Sequence, residues 1–201
     1  GFATLSGINL YLTTFLAGLA VRFNWVDLAD KYESLGVLAN PWIIGVAGML
    51  FLVEFFADKI PWLDSSWDAV HTFIRPVGGT LLALAALGEM DPAVAVIAGL
   101  LSGGTTLITH ATKAGSRLLI NMSPEPVSNT LASLGEDGLV LGGLGLMAFS
   151  PVLSFFVFLA IVILAIWLSR KTWGIIRRGI SAMKNRGKLA TEPSTDTDST
   201  P

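Results

Sequence analysis

No cysteine occurs in the 201 residues, so disulfides, zinc thiolate sites, iron–sulfur clusters and cysteine nucleophiles are all excluded. Charge is scarce as well: Asp, Glu, Lys and Arg make up 14% of the chain, against roughly 25% in soluble domains. Histidine occurs only as His71 and His110, and there is no G-x-S-x-G, no phosphate-binding glycine loop and no H-E-x-x-H. Hydrolase, nucleotide and zinc-protease chemistry therefore have no motif to stand on, and no enzymatic activity or cofactor is expected. What is abundant is apolar sequence, 52% of residues with a mean hydropathy of +0.65. The chain reads as a small, all-α, polytopic integral membrane bundle.

Against that background the stretch from Glu54 to Arg75, EFFADKIPWLDSSWDAVHTFIR, is unusually rich in charge. Read as a helix after Pro61, Asp64, Asp68, His71 and Arg75 fall on one face, with Leu63, Trp67, Val70 and Ile74 on the other. Glu54 and Asp58 are one turn apart at the end of the apolar run that Pro41 opens, where proline's missing N–H costs nothing. Carboxylates at that depth are functional candidates, and the plainer alternative is an amphipathic helix resting on the interface through Trp62 and Trp67.

A second cluster follows in TTLITHATKAGSRLLINMSPEPVSN. Thr106, His110, Lys113, Arg117 and Asn121 are spaced by 4, 3, 4 and 4 residues, which sets them along one helical stripe. The prolines at 124 and 126 end that helix. Beyond them Glu136 and Asp137 sit inside an apolar run from Asn129 to Phe149, and the electrostatic expectation is that these acids, or Glu54 and Asp58, neutralise Lys113 and Arg117.

The chain starts at Gly1 rather than methionine, as expected of a trimmed or processed end, and Phe2 to Ala20 shows neither the basic start nor the cleavage site of a signal peptide. That run is expected to be a spanning or broken helix whose Ser6, Asn9 and Thr13 face inward. Arg22 to Asn40 reads as interfacial. Val77 to Leu87 and Pro92 to Leu107 are each shorter than the roughly 20 residues of a perpendicular span and read as tilted crossings or re-entrant half-helices. Gly99 and Gly103 form a small-xxx-small pair.

Val152 to Leu168 is the clearest transmembrane helix. Seven of the 13 basic residues lie between Arg170 and Lys188 with no acid among them, which predicts a basic amphipathic helix on anionic lipid and a cytoplasmic C-terminal tail. The membrane domain is expected to cover 1–188, with residues 189–201 a disordered polar tail.

Ala3, Thr4, Gly7 and Leu10 recur 108 positions later as Ala111, Thr112, Gly115 and Leu118, and Pro41 with its helix resembles Pro151 with its own. Two repeats, 1–75 and 108–185, follow, and the opposite charges of their trailing segments suggest inverted topology.

EFFADKIPWLDSSWDAVHTFIRPVGG, HATKAGSRLLINMSPEPVSN and SLGED together resemble the membrane family called domain of unknown function 4126, found widely in bacteria. The resemblance implies a multi-helix membrane protein and no particular substrate; the bacterial inner membrane is the expected location. From the residues, the expected function is a small channel-like permease or a lipid or anion transporter. Arg75, His110, Lys113, Arg117 and Asn121 would bind the substrate, and Glu54, Asp58, Asp68, His71, Glu136 and Asp137 would couple or gate. Expected partners are membrane lipids, a small anion or phosphate-bearing lipid and a second copy of the chain, with no nucleic acid. A metal site from Glu54, Asp58 and His71 has no motif behind it, and no metal is expected. The alternative is a membrane scaffold or assembly factor whose charges form structural ion pairs.

Overall fold

A computed structural model describes residues 1–25, 33–122 and 126–191. The described residues form six α-helices and one 3₁₀ helix: α1 (Phe2–Arg22), the 3₁₀ helix (Glu33–Ala39), α2 (Pro41–Ala57), α3 (Pro61–Leu87), α4 (Pro92–Asn121), α5 (Pro126–Phe149) and α6 (Pro151–Thr191). Five of them, all but the 17-residue α2, contain stretches long and apolar enough to cross a membrane. The expected tail beyond Thr191 and residues 26–32 of the expected interfacial segment, including Leu28 and Tyr32, lie outside the described residues.

Proline starts five of the six helices, where its fixed φ suits the first turn and its absent N–H is one the helix could not use. Asn40 and Asp91 cap α2 and α4, their side-chain oxygens accepting from Trp42 N at 2.9 Å and Ala93 N at 2.8 Å.

The helix α1 is the hub. It packs against α2, α3, α4 and α5, and α6 closes the bundle against α4 and α5. Phe2, Leu5, Ala17, Val21, Leu35, Leu38, Met147 and Phe158 make its main apolar core. Leu35 and Leu38 of the 3₁₀ helix thus point into the bundle, not along an interface. Gly7 lets α1 touch α4, because a Cβ there would lie 2.6 Å from the carbonyl oxygen of Thr106.

Inside α1 the backbone breaks at Asn9, whose φ of −148° and ψ of 101° are not helical. Asn9 Oδ1 accepts from Leu12 N at 2.9 Å, so this residue caps the second half of the helix from within. The break frees the carbonyls of Gly7 and Ile8 and decides between the two expectations for this run, a spanning or a broken helix, in favour of the broken one, with Ser6, Asn9 and Thr13 all buried as expected.

Three expectations change. Val77–Leu87 and Pro92–Leu107 are not separate half-helices. The first completes the 27-residue α3 and the second begins the 30-residue α4, because each joins the charged stretch next to it. Pro76 sits within α3 without ending it; it removes one backbone bond, a loss that membrane helices tolerate. The amphipathic segment after Pro61 does not lie apart as an interfacial helix. Its Asp64, Asp68, His71 and Arg75 are buried, while Trp62, Val70, Phe73, Val77 and Leu81 of α3 are exposed. The basic segment after Leu168 continues α6 unbroken rather than starting a new helix.

Candidate functional site

Charged side chains from α2, α3, α4 and α5 meet beside the break in α1. Glu54 Oε1 accepts from Arg75 Nη2 at 2.5 Å and from Lys113 Nζ at 3.1 Å. Lys113 Nζ also stands 3.2 Å from Glu136 Oε2 and 3.6 Å from Asp58 Oδ2. Arg117 grips Glu136 bidentately, Nε to Oε1 at 3.1 Å and Nη2 to Oε2 at 2.9 Å, and reaches Asp58 Oδ2 at 3.2 Å. Such a fork matches carboxylate geometry in a way lysine cannot.

The freed carbonyls of α1 complete the cluster. Arg75 Nη1 donates to Gly7 O at 3.1 Å and to Ile8 O at 3.0 Å, and Lys113 Nζ donates to Ile8 O at 3.2 Å. Broken-helix carbonyls in a bundle interior need donors, since no water is at hand to satisfy them. Cations thus bind carboxylates and bare backbone together.

The two histidines are held differently. Arg75 Nη1 lies 2.9 Å from His110 Nδ1; arginine only donates, so Nδ1 accepts and Nε2–H donates to the Asp68 carbonyl at 3.1 Å. His71 stands outside the ion pairs. Its Nδ1 donates to Trp67 O at 2.7 Å, its Nε2 accepts from Tyr11 at 2.8 Å, and its ring stacks on Trp67 with centroids 4.5 Å apart.

The sequence stripes therefore converge, with some roles redistributed. Lys113 and Arg117 are neutralised by Glu54, Asp58 and Glu136, as the electrostatics required. Asp137 does not join them; it accepts from Asn9 Nδ2 at 3.1 Å. Asn121 acts as a strut, donating to Asp64 Oδ2 at 2.8 Å and Pro61 O at 3.1 Å and accepting from Asn129 at 2.7 Å. Asp68 pairs only loosely with Arg75, at 3.6 Å.

Sequence reasoning missed Tyr11, Thr72, Asn129 and Ser133. Thr72 touches His110, Asn129 O accepts from Arg117 Nη1 at 2.9 Å, and Ser133 donates to Asp58. The spacing of Asn129, Ser133 and Glu136 was a usable signal, since it sets them on one stripe of α5.

Two clefts reach this cluster beside the same stretch of α4. One, of about 620 Å³, opens between α3, α4 and α6 and touches Asp68 and Arg117. The other, of about 280 Å³, touches Lys113 and Glu136. Among the described residues no group of three or more His, Asp or Glu side chains is placed to hold a metal ion.

An all-helical bundle with five membrane-length apolar helices and its charge turned inward is the architecture of an integral membrane protein. The chain belongs to the family described as domain of unknown function 4126, whose model matches residues 1–171. None of the curated proteins and none of the solved structures compared with the chain matches it. The matched range holds every residue of the ionic cluster and ends within α6.

Proposed function

We propose that this protein is a small membrane permease whose translocation site is the buried ionic cluster at the break in α1. The observation that carries this reading is the joining of seven charged side chains, Glu54, Asp58, Asp68, Arg75, Lys113, Arg117 and Glu136, between apolar helices, with clefts reaching two of its sides. Ions buried at that depth are costly, and buried pairs are poor stabilisers compared with apolar packing, so function is the better reason for keeping them. A discontinuous helix whose free carbonyls face cations is also the device around which many transporters build their sites. The two sequence repeats, if inverted, would supply alternating access.

The charge balance bears on the cargo. Four carboxylates face three cations in the cluster, and each cation is already engaged by carboxylate. A cationic solute therefore fits better than the small anion that Lys113 and Arg117 suggest when read from sequence. The reading assigns no catalysis.

The test is reconstitution into liposomes with uptake of radiolabelled methylammonium and phosphate. Methylammonium uptake above protein-free liposomes, reduced by Asp68→Asn, is expected. Uptake of neither ion above that background would end the permease reading. It would leave a scaffold, which the saturation of every cation by acid favours.

A further inference from the structure

The cleft between α3, α4 and α6 has a feature the ion pairs do not explain. Asp68 lies on its wall and is 3% exposed, yet among the described residues neither of its carboxylate oxygens meets a hydrogen-bond donor. Its ion-pair partner, Arg75, stays 3.6 Å away and donates instead to Glu54, Gly7 and Ile8. Buried oxygens without donors cost free energy that a bound donor would recover.

The rest of the cleft states what that donor is attached to. Ala69, Ala111, Leu118 and the ring of Trp173 give it apolar walls. Arg117, though it touches the cleft, is bound by Glu136 and Asp58, so its charge is spoken for. Arg170 is exposed at the cleft's edge. The volume of about 620 Å³ is that of a small-molecule site and far exceeds what a bare inorganic ion fills. Apolar walls with one unpaired carboxylate match an alkylammonium group on an apolar body, and an indole ring adds attraction for the cation.

We propose that this cleft binds the ammonium group of an amphipathic organic cation, with Asp68 accepting its N–H donors and Trp173 lying along its apolar body. The ammonium could be that of a free amine or of an ethanolamine lipid headgroup, whose phosphate would then meet Arg170. This deepens the permease reading by naming a class of cargo; it is tested by binding rather than flux, so the two fail separately.

The experiment is equilibrium binding of tritiated phenethylammonium to the full chain in phosphatidylglycerol nanodiscs. Saturable binding is expected, weakened at least tenfold by Asp68→Asn and by Ala111→Phe, which fills the cleft from an exposed position without touching an ion pair. Neutral 2-phenylethanol should not compete. Absence of saturable binding, or equal binding by the parent and Ala111→Phe, overturns the proposal even if Asp68→Asn fails to fold. Adding phosphatidylethanolamine to the nanodiscs separates the sources: competition supports the headgroup as occupant, and none supports the free amine.

Discussion

Glu54 of α2 and Lys113 of α4 stand 59 positions apart in the sequence and 3.1 Å apart in the fold, with Glu54 fully buried and Lys113 only 6% exposed. Glu54 is also held by Arg75, and Lys113 by Glu136 and Ile8 O, so this contact ties together four of the bundle's helices and the break in α1.

Glu54→Gln takes from Arg75 its closest carboxylate and Lys113→Met takes from Glu54 and Glu136 a shared donor, and breaking a buried pair in this way costs about 3–5 kcal/mol. Glu54→Gln and Lys113→Met should each destabilise the protein by that order in denaturant titrations in detergent. The double variant should lose clearly less than the sum of the two. Strict additivity would show that the pair is not coupled.

Gly7 of α1 packs directly against α4, and a methyl group there would press on the Thr106 carbonyl and the Thr109 side chain. Gly7→Ala should cost about 1–3 kcal/mol through overpacking. Gly45→Ala, with nothing within 4 Å of the added carbon, should leave stability unchanged or raise it. Thermal unfolding of the two variants side by side makes the comparison, and equal midpoints would contradict the packing.

Asn9 caps the inner half of α1 and donates to Asp137. Asn9→Leu strips both contacts and leaves Asp137 without its donor, at a cost of about 1–3 kcal/mol. The lost cap should also loosen Leu12 N, seen as faster amide exchange in the second half of α1. Exchange rates equal to the parent's would remove Asn9 from the capping role.

With 27 residues, α3 extends about 40 Å at 1.5 Å per residue, enough to cross a hydrocarbon core of about 30 Å. Lys59 and Glu89 flank its two ends. The chain has no cysteine, so Lys59→Cys and Glu89→Cys can be made in the natural background. An impermeant maleimide should label them from opposite faces of sealed vesicles. Labelling from one face would return the segment after Pro61 to the interface.

Much of this architecture was legible in the residues because inward polarity and outward apolarity are written at helical period. The stripe of Asp64, Asp68, His71 and Arg75 on α3, and that of His110, Lys113 and Arg117 on α4, are buried as sets. The lengths of α3 and α4 were not legible, since each joins a charged half to an apolar half and hydropathy alone divides them at that seam. A broken first helix was one of two readings, but the place of the break at Asn9 was not legible, because an asparagine within an apolar run reads equally well as an inward polar contact.

What the sequence by itself determined was the class of protein and the faces of its helices: scarce charge, long apolar runs and periodic polar stripes permit little else. Which acid meets which base was decided only by the fold. Asp137 could have served Lys113 as well as Glu136 does, and Asp68 could have found a donor. Adjacent residues on one helix point in different directions, and the helix crossings choose which of them reaches the cluster and which is left facing a cleft.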